Sequence, residues 1–460
     1  MTARLRIVGG GLAGCEAAWQ AAEHGVSVVL YEMRPHRRSP AHATDHLAEL
    51  VCSNSLRGSA LENAVGLLKE ELARLGSLIV SSARESAVPA GGALAVDRVA
   101  FANLVERRLY EHPRIHVVRQ EVTSLDLEEP TIVACGPLPS KALESALDAV
   151  LRATVPQATR TRLHYYDAAS PIVSAESLDV SKMYAKSRYD KGAGDDYLNV
   201  PLDREQYVRF VRDLRELPKH EAKAFEAQGS GGNLPYFEGC LPIEELAARG
   251  EDALRFGPMK PVGLRHPQTG ASPYAVVQLR KENAAATAYN LVGFQTRLTW
   301  PAQREAFGKL PGFADAEWLR LGVMHRNAFL DAPRLLLPDL RLRGAPQLWF
   351  AGQITGAEGY VEAAACGAIA GIAAARRLTD LVEVPVPGDT ALAAVVAHLQ
   401  NTATPDFQPS NVTWTHFSPL AEPAPRARRE RRAAMAARAL HHLDRWIEKL
   451  HDDRAVALVR

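Results

Sequence analysis

The sequence has few cysteines and almost no net charge, and both absences exclude classes of protein. Its 460 residues include 5 cysteines, an odd number, with no CxxC pair among them. This usage argues against a disulfide framework or a zinc site and indicates a reducing compartment. The formal net charge is +1, so no overall field attracts nucleic acid, and any RNA contact requires a local basic patch.

Long apolar runs are also missing. The chain has no uninterrupted apolar stretch of about eighteen residues, which predicts that it does not span a membrane. The N-terminus enters an apolar strand at once and leaves no room for a signal peptide, so we expect a cytoplasmic protein. Hydrophobic residues make up 47% and charged residues 23%, which is typical of a globular protein, and the length predicts two or three domains.

A strand, a glycine turn, a helix, a second strand and an acid follow one another at the N-terminus. The apolar residues 5–8 precede a turn whose members are Gly9, Gly10, Gly11, Leu12, Ala13 and Gly14. Gly9 permits the tight turn, Gly11 lets backbone approach a pyrophosphate, and Gly14 lets the helix pack on the strand. Glu32 ends the second strand, where its carboxylate can accept hydrogen bonds from ribose hydroxyls. The pattern predicts a dinucleotide site with the pyrophosphate at the helix N-terminus.

A second strand runs into glycine near the other end of the chain. Residues 348–350 are apolar, Gly352 follows, and residues 361–377 predict a helix rich in alanine and glycine. Such small residues allow close helix packing. Two glycine junctions, one at each end, favour a flavoprotein in which the chain leaves the dinucleotide domain and later returns over the flavin.

Changes in amino-acid composition along the chain predict four segments. Residues 1–162 carry the first glycine turn, with further strands at 115–120 and 131–135, and form the N-terminal part of the dinucleotide-binding domain. Aromatic, glycine and proline residues then mark 163–325 as an inserted domain. Residues 326–380 return to the first domain, and 381–460 form a helical C-terminal region interrupted by a proline-containing loop.

Two cysteines stand in segments unlike a core. Small polar residues follow Cys52, and Cys240 lies between glycine and leucine-proline, in a turn that would expose a thiol. Arg57, and a helix starting after Pro242, could supply the positive surroundings that a thiolate needs. The alternative is that each thiol is a small buried hydrophobe. The remaining cysteines, at positions 15, 135 and 366, are interpreted as packing residues.

Two further clusters allow a functional and an ordinary reading. His42 and His46 are spaced as two ligands on one helical face would be, but no third ligand is evident. We therefore predict no metal site here and expect loop ordering or a cofactor contact instead. A basic run predicts phosphate contacts with RNA, although a solvated surface helix would explain the same residues. Its members include Arg428, Arg429, Arg431 and Arg432.

At these residues the chain resembles the TrmFO family, the folate- and FAD-dependent tRNA (uracil-5-)-methyltransferases. The resemblance covers nearly the whole chain and is carried by blocks in the same order. They are residues 11–14, 31–35 (YEMRP), 48–56 (AELVCSNSL), 63–71, 88–98 (VPAGGALAVDR), 237–240 (FEGC), 256–264 (FGPMKPVGL), 322–327, 350–353 and 358–362 (EGYVE). Departures are minor: Gly10 and Cys366 stand where alanine and serine are commoner.

The resemblance implies an α/β fold with a Rossmann-like FAD-binding domain of the glutathione-reductase type, similar to MnmG, and an inserted smaller α/β domain. It extends the expected cofactor contacts to Arg34, Gln353, Gly356 and Glu362. It also implies methylation of the T-loop uridine (position 54) of tRNA. The carbon would come from 5,10-methylenetetrahydrofolate, and NADH or NADPH would recharge the FAD.

In the implied reaction, the Cys240 thiolate adds to uracil C6, while Cys52 removes the C5 proton or stabilises the adduct. The base must be extruded from the T-loop. Tyr360 is either an aromatic platform for it or a packing residue. Alternative functions are wobble-uridine modification of the MnmG kind, folate-dependent methylation of ribosomal RNA, and a flavin-binding RNA chaperone without turnover.

Overall fold

The computed structural model of the chain describes residues 4–155, 162–220, 241–403 and 407–459. In this part of the chain the strands, in order, are β1 (Arg4–Val8), β2 (Ser27–Glu32), β3 (Ser55–Gly58), β4 (Ala87–Val88), β5 (Ala93–Val96), β6 (Ile115–Arg119), β7 (Thr131–Val133), β8 (Arg162–Ala168), β9 (Ile172–Ser174), β10 (Tyr184–Ala185), β11 (Tyr197–Leu202), β12 (Ala275–Lys281), β13 (Ala288–Leu291), β14 (Trp318–Arg320), β15 (Met324–Leu330) and β16 (Leu348–Phe350).

The helices of the same residues are α1 (Leu12–Glu23), α2 (Ala64–Arg74), α3 (Leu78–Glu85), α4 (Arg98–Glu111), α5 (Lys141–Thr154), α6 (Arg204–Glu216), α7 (Ile243–Ala248), α8 (Ala253–Phe256), α9 (Trp300–Gly308), α10 (Ala332–Leu335), α11 (Tyr360–Leu378), α12 (Ala391–Leu399) and α13 (Arg428–Val459). In the described part of the chain, no helix combines the length and the apolar character needed to cross a bilayer.

A parallel sheet carries the glycine turn. Its five strands lie in the order β16-β7-β1-β2-β6. The strand β1 lies inside the sheet with Leu5, Ile7 and Val8 buried, as expected for a parallel strand covered on both faces. The strand β16 pairs in parallel with β7, although more than 200 residues separate them. Residues 348–350 therefore lie in the same sheet as the strand that precedes the glycine turn.

Two helices rich in small residues cross closely beside this sheet. In α11, a Cβ on Gly367 would lie 2.2 Å from the carbonyl oxygen of Ala13, and one on Gly371 would lie 2.6 Å from that of Ala17. Both distances are far below van der Waals contact. The glycines therefore set how near α11 can approach α1, as the composition of the helix predicts.

The middle of the chain forms a second sheet with a hydrophobic core of its own. Its six strands lie in the order β10-β11-β12-β13-β9-β14, and β8 pairs with β15 in a separate two-stranded ribbon. Aromatic side chains fill this core, among them Phe294 and Phe307, with ring centroids 6.0 Å apart. The boundaries expected at 163, 326 and 381 stay predictions.

The C-terminal helices pack on the first core rather than extending away from it. Glu71 in α2 accepts hydrogen bonds from the first N–H groups of α12, those of Ala391 (2.7 Å) and Leu392 (2.9 Å). It thereby caps a helix more than 300 residues away. Leu443 and Trp446 in α13 are buried in the same core.

Candidate functional site

A cavity of about 400 Å³ lies between the glycine turn and the second sheet. One wall consists of residues 9–13 and the residues that follow β2. The facing wall includes Arg280 from β12 and Asn290 from β13. Residues 51–53 and Tyr360 also line it. The cavity thus brings together segments that lie far apart in the sequence.

The glycine turn leaves space for a ligand at one position and none at the others. Gly9 has a φ of +109°, and a Cβ there would lie 2.4 Å from the carbonyl oxygen of Ala134. A Cβ on Gly14 would lie 1.8 Å from the carbonyl oxygen of Gly9, whereas one on Gly11 would meet no protein atom within 4 Å. Gly11 precedes α1 without a capping side chain, so first-turn N–H groups of α1 remain for an anion in the cavity. This cradle fits a dinucleotide pyrophosphate.

Glu32 is buried beside the turn and is already engaged. Its Oε2 accepts a hydrogen bond from the backbone N–H of Gly10 at 3.0 Å, and its Oε1 accepts one from Nε of Arg34 at 2.9 Å. Burial alone would raise the pKa of Glu32, but these donors and the charge of Arg34 lower it. Arg34 also pairs with Glu49 at 3.0 Å, so it braces the cavity wall from within.

Gly10, one of the family departures, has little room around it. A Cβ there would lie 2.5 Å from Cδ2 of Leu47 and 2.9 Å from Oε2 of Glu32. An alanine would require the Leu47 side chain to shift. Glycine at this position therefore matches the packing of this particular loop.

Of the four cofactor-contacting residues predicted at the second glycine junction, two line the cavity and two do not. Gly352 (φ +81°) and Gln353 line it, and a Cβ on Gly352 would lie 2.6 Å from Cβ of Ala13. Gly356 packs against the ring of Phe407, and the buried Glu362 pairs with Arg57. These last two lie in the packing behind the wall, so any effect they have on a cofactor is indirect.

Cys52 lies half-buried in the cavity wall and touches the hydroxyl group of Tyr360. The Tyr360 hydroxyl donates to Sγ of Cys52 at 3.2 Å, and it accepts hydrogen bonds from the backbone N–H groups of Cys52 (2.8 Å) and Ser53 (3.2 Å). The ring of Tyr360 is half-buried and also lines the cavity. The expected exposure of this thiol to a ligand is therefore compatible with its position.

Positive charge surrounds Cys52, and part of it comes from residues that the sequence did not indicate. Arg57, the residue that the sequence did indicate, lines the cavity and pairs with Glu362. Arg98, Arg280 and Arg320 are the cations close enough for the Cys52 charge to act on their pKa values. Burial lowers the pKa of Arg280 and of Arg320, whereas Glu282 outweighs burial at Arg98 and raises its pKa.

These three arginines were missed because nothing local marks them. They come from α4, β12 and β14, and only the fold brings them to one thiol. Arg280 is held in place by Asn54 (Nε to Oδ1, 2.7 Å) and Ser53 (2.8 Å). The motif that follows Cys52 thus orients the arginine that faces it.

Lys69 was missed as well. Its buried ammonium group donates to the carbonyl oxygens of Leu56 and Gly58, both at 2.8 Å. It therefore ties α2 to β3, the strand that follows the Cys52 segment. Burial, helped by the charge of Arg57, lowers the pKa of Lys69 to about 7.

Cys240 lies outside the described residues. Leu241 is the next described residue, and α7 begins directly after Pro242, as predicted. The N–H of Ile243 donates to the carbonyl oxygen of Gln295 at 2.7 Å, and Gln295 lines the cavity.

The other cysteines differ among themselves. Cys15 and Cys366 are buried, and burial raises the pKa of both thiols, that of Cys366 to about 11. Cys135 is half-buried and lines the cavity, so packing is not its only contact.

His42 and His46 do not share a helical face. Residues 41–50 form a loop in which His42 pairs with Ser39 (2.7 Å) and His46 with Glu106 (2.8 Å). The two rings therefore serve different contacts. His42 lines the cavity, and burial lowers its pKa.

The basic run divides at the start of α13. Arg428, Arg429 and Arg431 are exposed, and Arg429 has an ion pair with Glu62 at 3.2 Å. Arg432 lies over the ring of Trp414, 5.8 Å from its centroid. Arg438 turns inward and donates to the carbonyl oxygens of residues 418 and 419. The exposed part of the run is therefore smaller than the sequence indicates.

Comparison with solved structures identifies the fold. GidA of Aquifex aeolicus, in two crystal forms, superposes with TM-scores of 0.68 and 0.69 at 15% sequence identity. The superpositions cover 99% and 98% of this chain and 75% and 76% of GidA. The predicted α/β fold class is confirmed.

Comparison of sequences is more specific. The family described as glucose inhibited division protein A matches residues 4–381. Relatives from Pelobacter propionicus and Geobacter sulfurreducens are 55% and 54% identical over 447 residues, which is 97% of this chain and 95% and 99% of theirs. Both are named methylenetetrahydrofolate--tRNA-(uracil-5-)-methyltransferase TrmFO. The chain therefore belongs to the glucose inhibited division protein A family and, within that fold, to the TrmFO methyltransferases.

Proposed function

We propose that this protein methylates C5 of the T-loop uridine (position 54) of tRNA, with 5,10-methylenetetrahydrofolate as carbon donor and FAD as cofactor. The observation that carries the proposal is the Cys52 thiol, held by Tyr360 among three arginines on a cavity that begins at a glycine turn. NADH or NADPH is the proposed reductant.

The residues of the glycine turn would hold FAD. Gly11 leaves space beside the N-terminus of α1 for the pyrophosphate, and Gly352 and Gln353 would border the other end. Glu32 and Arg34 would border the ribose of the cofactor. Because they form an ion pair, the pair adds no net charge to this part of the cavity wall. Once reduced by NADH or NADPH, bound FAD would supply the two electrons that convert the transferred one-carbon unit to a methyl group.

Cys240 is the proposed nucleophile. Uracil C5 is a poor nucleophile by itself, and a thiolate that adds to C6 makes C5 reactive. After the carbon is attached, the C5 proton must leave and the bond from sulfur to C6 must break. We assign the proton to Cys52, because arginines favour its thiolate form and a thiolate can accept a proton.

The test is transfer of folate-derived label to tRNA by two thiol variants. Cys240→Ala should abolish transfer while flavin absorbance and its bleaching by reductant persist, because the thiol acts on the base. Cys52→Ala should also prevent formation of methylated product. Cys366→Ser is the matched control, because this thiol is buried in α11 away from the cavity wall. Substantial methylation by Cys240→Ala would reassign the nucleophile.

The substrate base needs its own experiment, because the alternatives share the same cofactors. Transcripts in which uridine 54 or the wobble uridine is replaced by cytidine should separate T-loop from wobble modification. Loss of labelling only with the first transcript supports the proposal. A ribosomal RNA substrate tests the third alternative, and turnover of any kind excludes the chaperone. S-adenosylmethionine as the label source should give no transfer.

We also propose that Arg428, Arg429, Arg431 and Arg432 contact the tRNA backbone. Three of them are exposed at the start of α13, as phosphate contacts require. In a chain with a net charge of +1, a local patch of this kind is needed. A cytoplasmic location remains a prediction.

A further inference from the structure

The hydroxyl group of Tyr360 has all of its hydrogen-bonding positions filled. A phenol oxygen has two acceptor positions and one hydrogen to donate. The acceptor positions are taken by the backbone N–H groups of Cys52, at 2.8 Å, and Ser53, at 3.2 Å. The hydrogen is left for Sγ of Cys52, 3.2 Å away. The direction of this hydrogen bond therefore follows from the contacts.

We propose that Tyr360 is a positioning residue that holds the Cys52 sulfur in its thiolate form through a hydrogen bond donated to that sulfur. A donor facing sulfur stabilises the charged form over the neutral thiol. The two backbone N–H groups prevent the hydroxyl from rotating toward any other acceptor. Burial raises the pKa of Tyr360 well above its usual value, so the hydroxyl keeps the proton that it donates.

The fold fixes Tyr360 at the required place. It is the first residue of α11, and the preceding Gly359 has a φ of +110°. A Cβ on Gly359 would lie 2.5 Å from Oε2 of Glu362 and 3.2 Å from a guanidinium nitrogen of Arg57. The positive φ before α11 and the lack of space for a Cβ therefore both require glycine at position 359. The ion pair between Arg57 and Glu362 fills the space behind the turn.

Charged groups from several elements act on the same sulfur. Arg98 in α4, Arg280 in β12 and Arg320 in β14 favour the thiolate. Glu282 is paired with Arg98, so it reduces the effect of that arginine. Glu49, on the segment of Cys52 itself, is paired with Arg34. The arginines thus supply a favourable field, and the Tyr360 hydroxyl supplies a directed contact with the sulfur.

This proposal refines the role given to Cys52 and rests on it, but its readout needs neither tRNA nor folate. It also differs from a role of the ring as a platform for the base. Phenylalanine keeps the ring and loses only the hydroxyl, whereas leucine loses both. The two substitutions therefore separate a contact with sulfur from stacking.

The experiment is the pH dependence of iodoacetamide alkylation in the FAD-loaded protein, read separately for each cysteine by mass spectrometry. With Tyr360→Phe, the apparent pKa of Cys52 should rise by roughly one unit, so that its alkylation at neutral pH slows by about tenfold. Cys135, a half-buried thiol in the same chain, is the internal reference and should not change. Tyr360→Leu should give the same shift as Tyr360→Phe.

An unchanged alkylation profile of Cys52 in Tyr360→Phe would overturn the proposal, even if methylation were slower. If that variant does not retain FAD, the unaltered chain still gives an answer. The ultraviolet absorbance of thiolate, compared between the parent and Cys52→Ser over pH, reports the titration of Cys52 directly. A midpoint at or above about 8.5, the ordinary cysteine value, would contradict a sulfur held as thiolate.

Discussion

Gly11 and Gly14 lie three residues apart in one turn, and their surroundings impose opposite constraints. Gly11 has an ordinary backbone conformation, with φ −78° and ψ −173°, and faces open space. At Gly14, a Cβ would lie 1.8 Å from the carbonyl oxygen of Gly9, so this position has no room for any side chain. Single substitutions can therefore separate ligand binding from folding at this site.

We expect Gly11→Ala to fold with a free energy of unfolding within roughly 1 kcal/mol of the parent, because its methyl group meets no protein atom. It should lower FAD affinity by about tenfold or more, since the methyl group occupies the space of the pyrophosphate. Gly14→Ala should instead lower the free energy of unfolding of the FAD-free protein. Denaturant titration and flavin fluorescence measure the two effects. Full FAD affinity in Gly11→Ala would contradict the placement of the pyrophosphate.

Lys69 predicts a pH dependence of stability. Its pKa falls from 10.5 to about 7 on folding, because burial disfavours the charged amine. Between these pH values the unfolded chain binds more protons than the folded one, so the contribution of Lys69 to the free energy of unfolding rises with pH. Against Lys69→Met, the parent should gain stability from pH 7 to pH 10, by an amount on the order of a few kcal/mol.

Denaturant titration of both proteins across this range checks the Lys69 prediction. Lys141→Met, at an exposed position at the start of α5, is the control and should follow the parent. If the difference in free energy of unfolding between the parent and Lys69→Met stays constant with pH, the Lys69 amine has the same pKa in the folded and unfolded chains, and the prediction is wrong.

At the scale of an element, the start of α13 allows a sharper test of tRNA binding than the sequence did. Replacing Arg428, Arg429 and Arg431 together by glutamine should weaken tRNA binding and flatten its salt dependence. Each lost phosphate contact should remove roughly 0.7–0.9 from the log–log slope. The measurement is tRNA affinity between low and moderate salt, with flavin content as a check on folding.

Arg438→Gln is the control for this helix. Its guanidinium is directed at the carbonyl oxygens of residues 418 and 419, so its loss should affect stability and leave the salt slope unchanged. If the triple variant retains the parental slope, the exposed arginines are ordinary solvated residues. The RNA surface would then lie elsewhere.

Elements with a local pattern were predictable from the sequence. The glycine turn, α1 and α11 follow from apolar periodicity and from small residues at fixed spacing. The separate contacts of His42 and His46 were not predictable, because a spacing of four residues fits a helical face even where no helix forms. The segment boundaries at 163, 326 and 381 stay predictions.

At the scale of the whole molecule, the site itself could be predicted only in part. Cys52 was evident from its neighbours, but its hydrogen-bond donor and its cations come from four other elements, α4, β12, β14 and α11. The direction of the Tyr360 hydroxyl depends on two backbone N–H groups, which no residue pattern encodes. Only the tertiary structure brings these groups to one sulfur.

The late pairing of β16 with β7 has a consequence for how the protein is made. The edge of the first sheet, the second glycine junction and Tyr360 all come after residue 347. A ribosome therefore synthesises three quarters of the chain before the pocket has its last wall. All strands of the middle sheet have been synthesised by Arg320, when the first sheet still lacks β16. A nascent chain halted before β16 would lack Gly352, Gln353 and Tyr360 from the cavity wall, and we expect it to retain FAD poorly even though its glycine turn is complete.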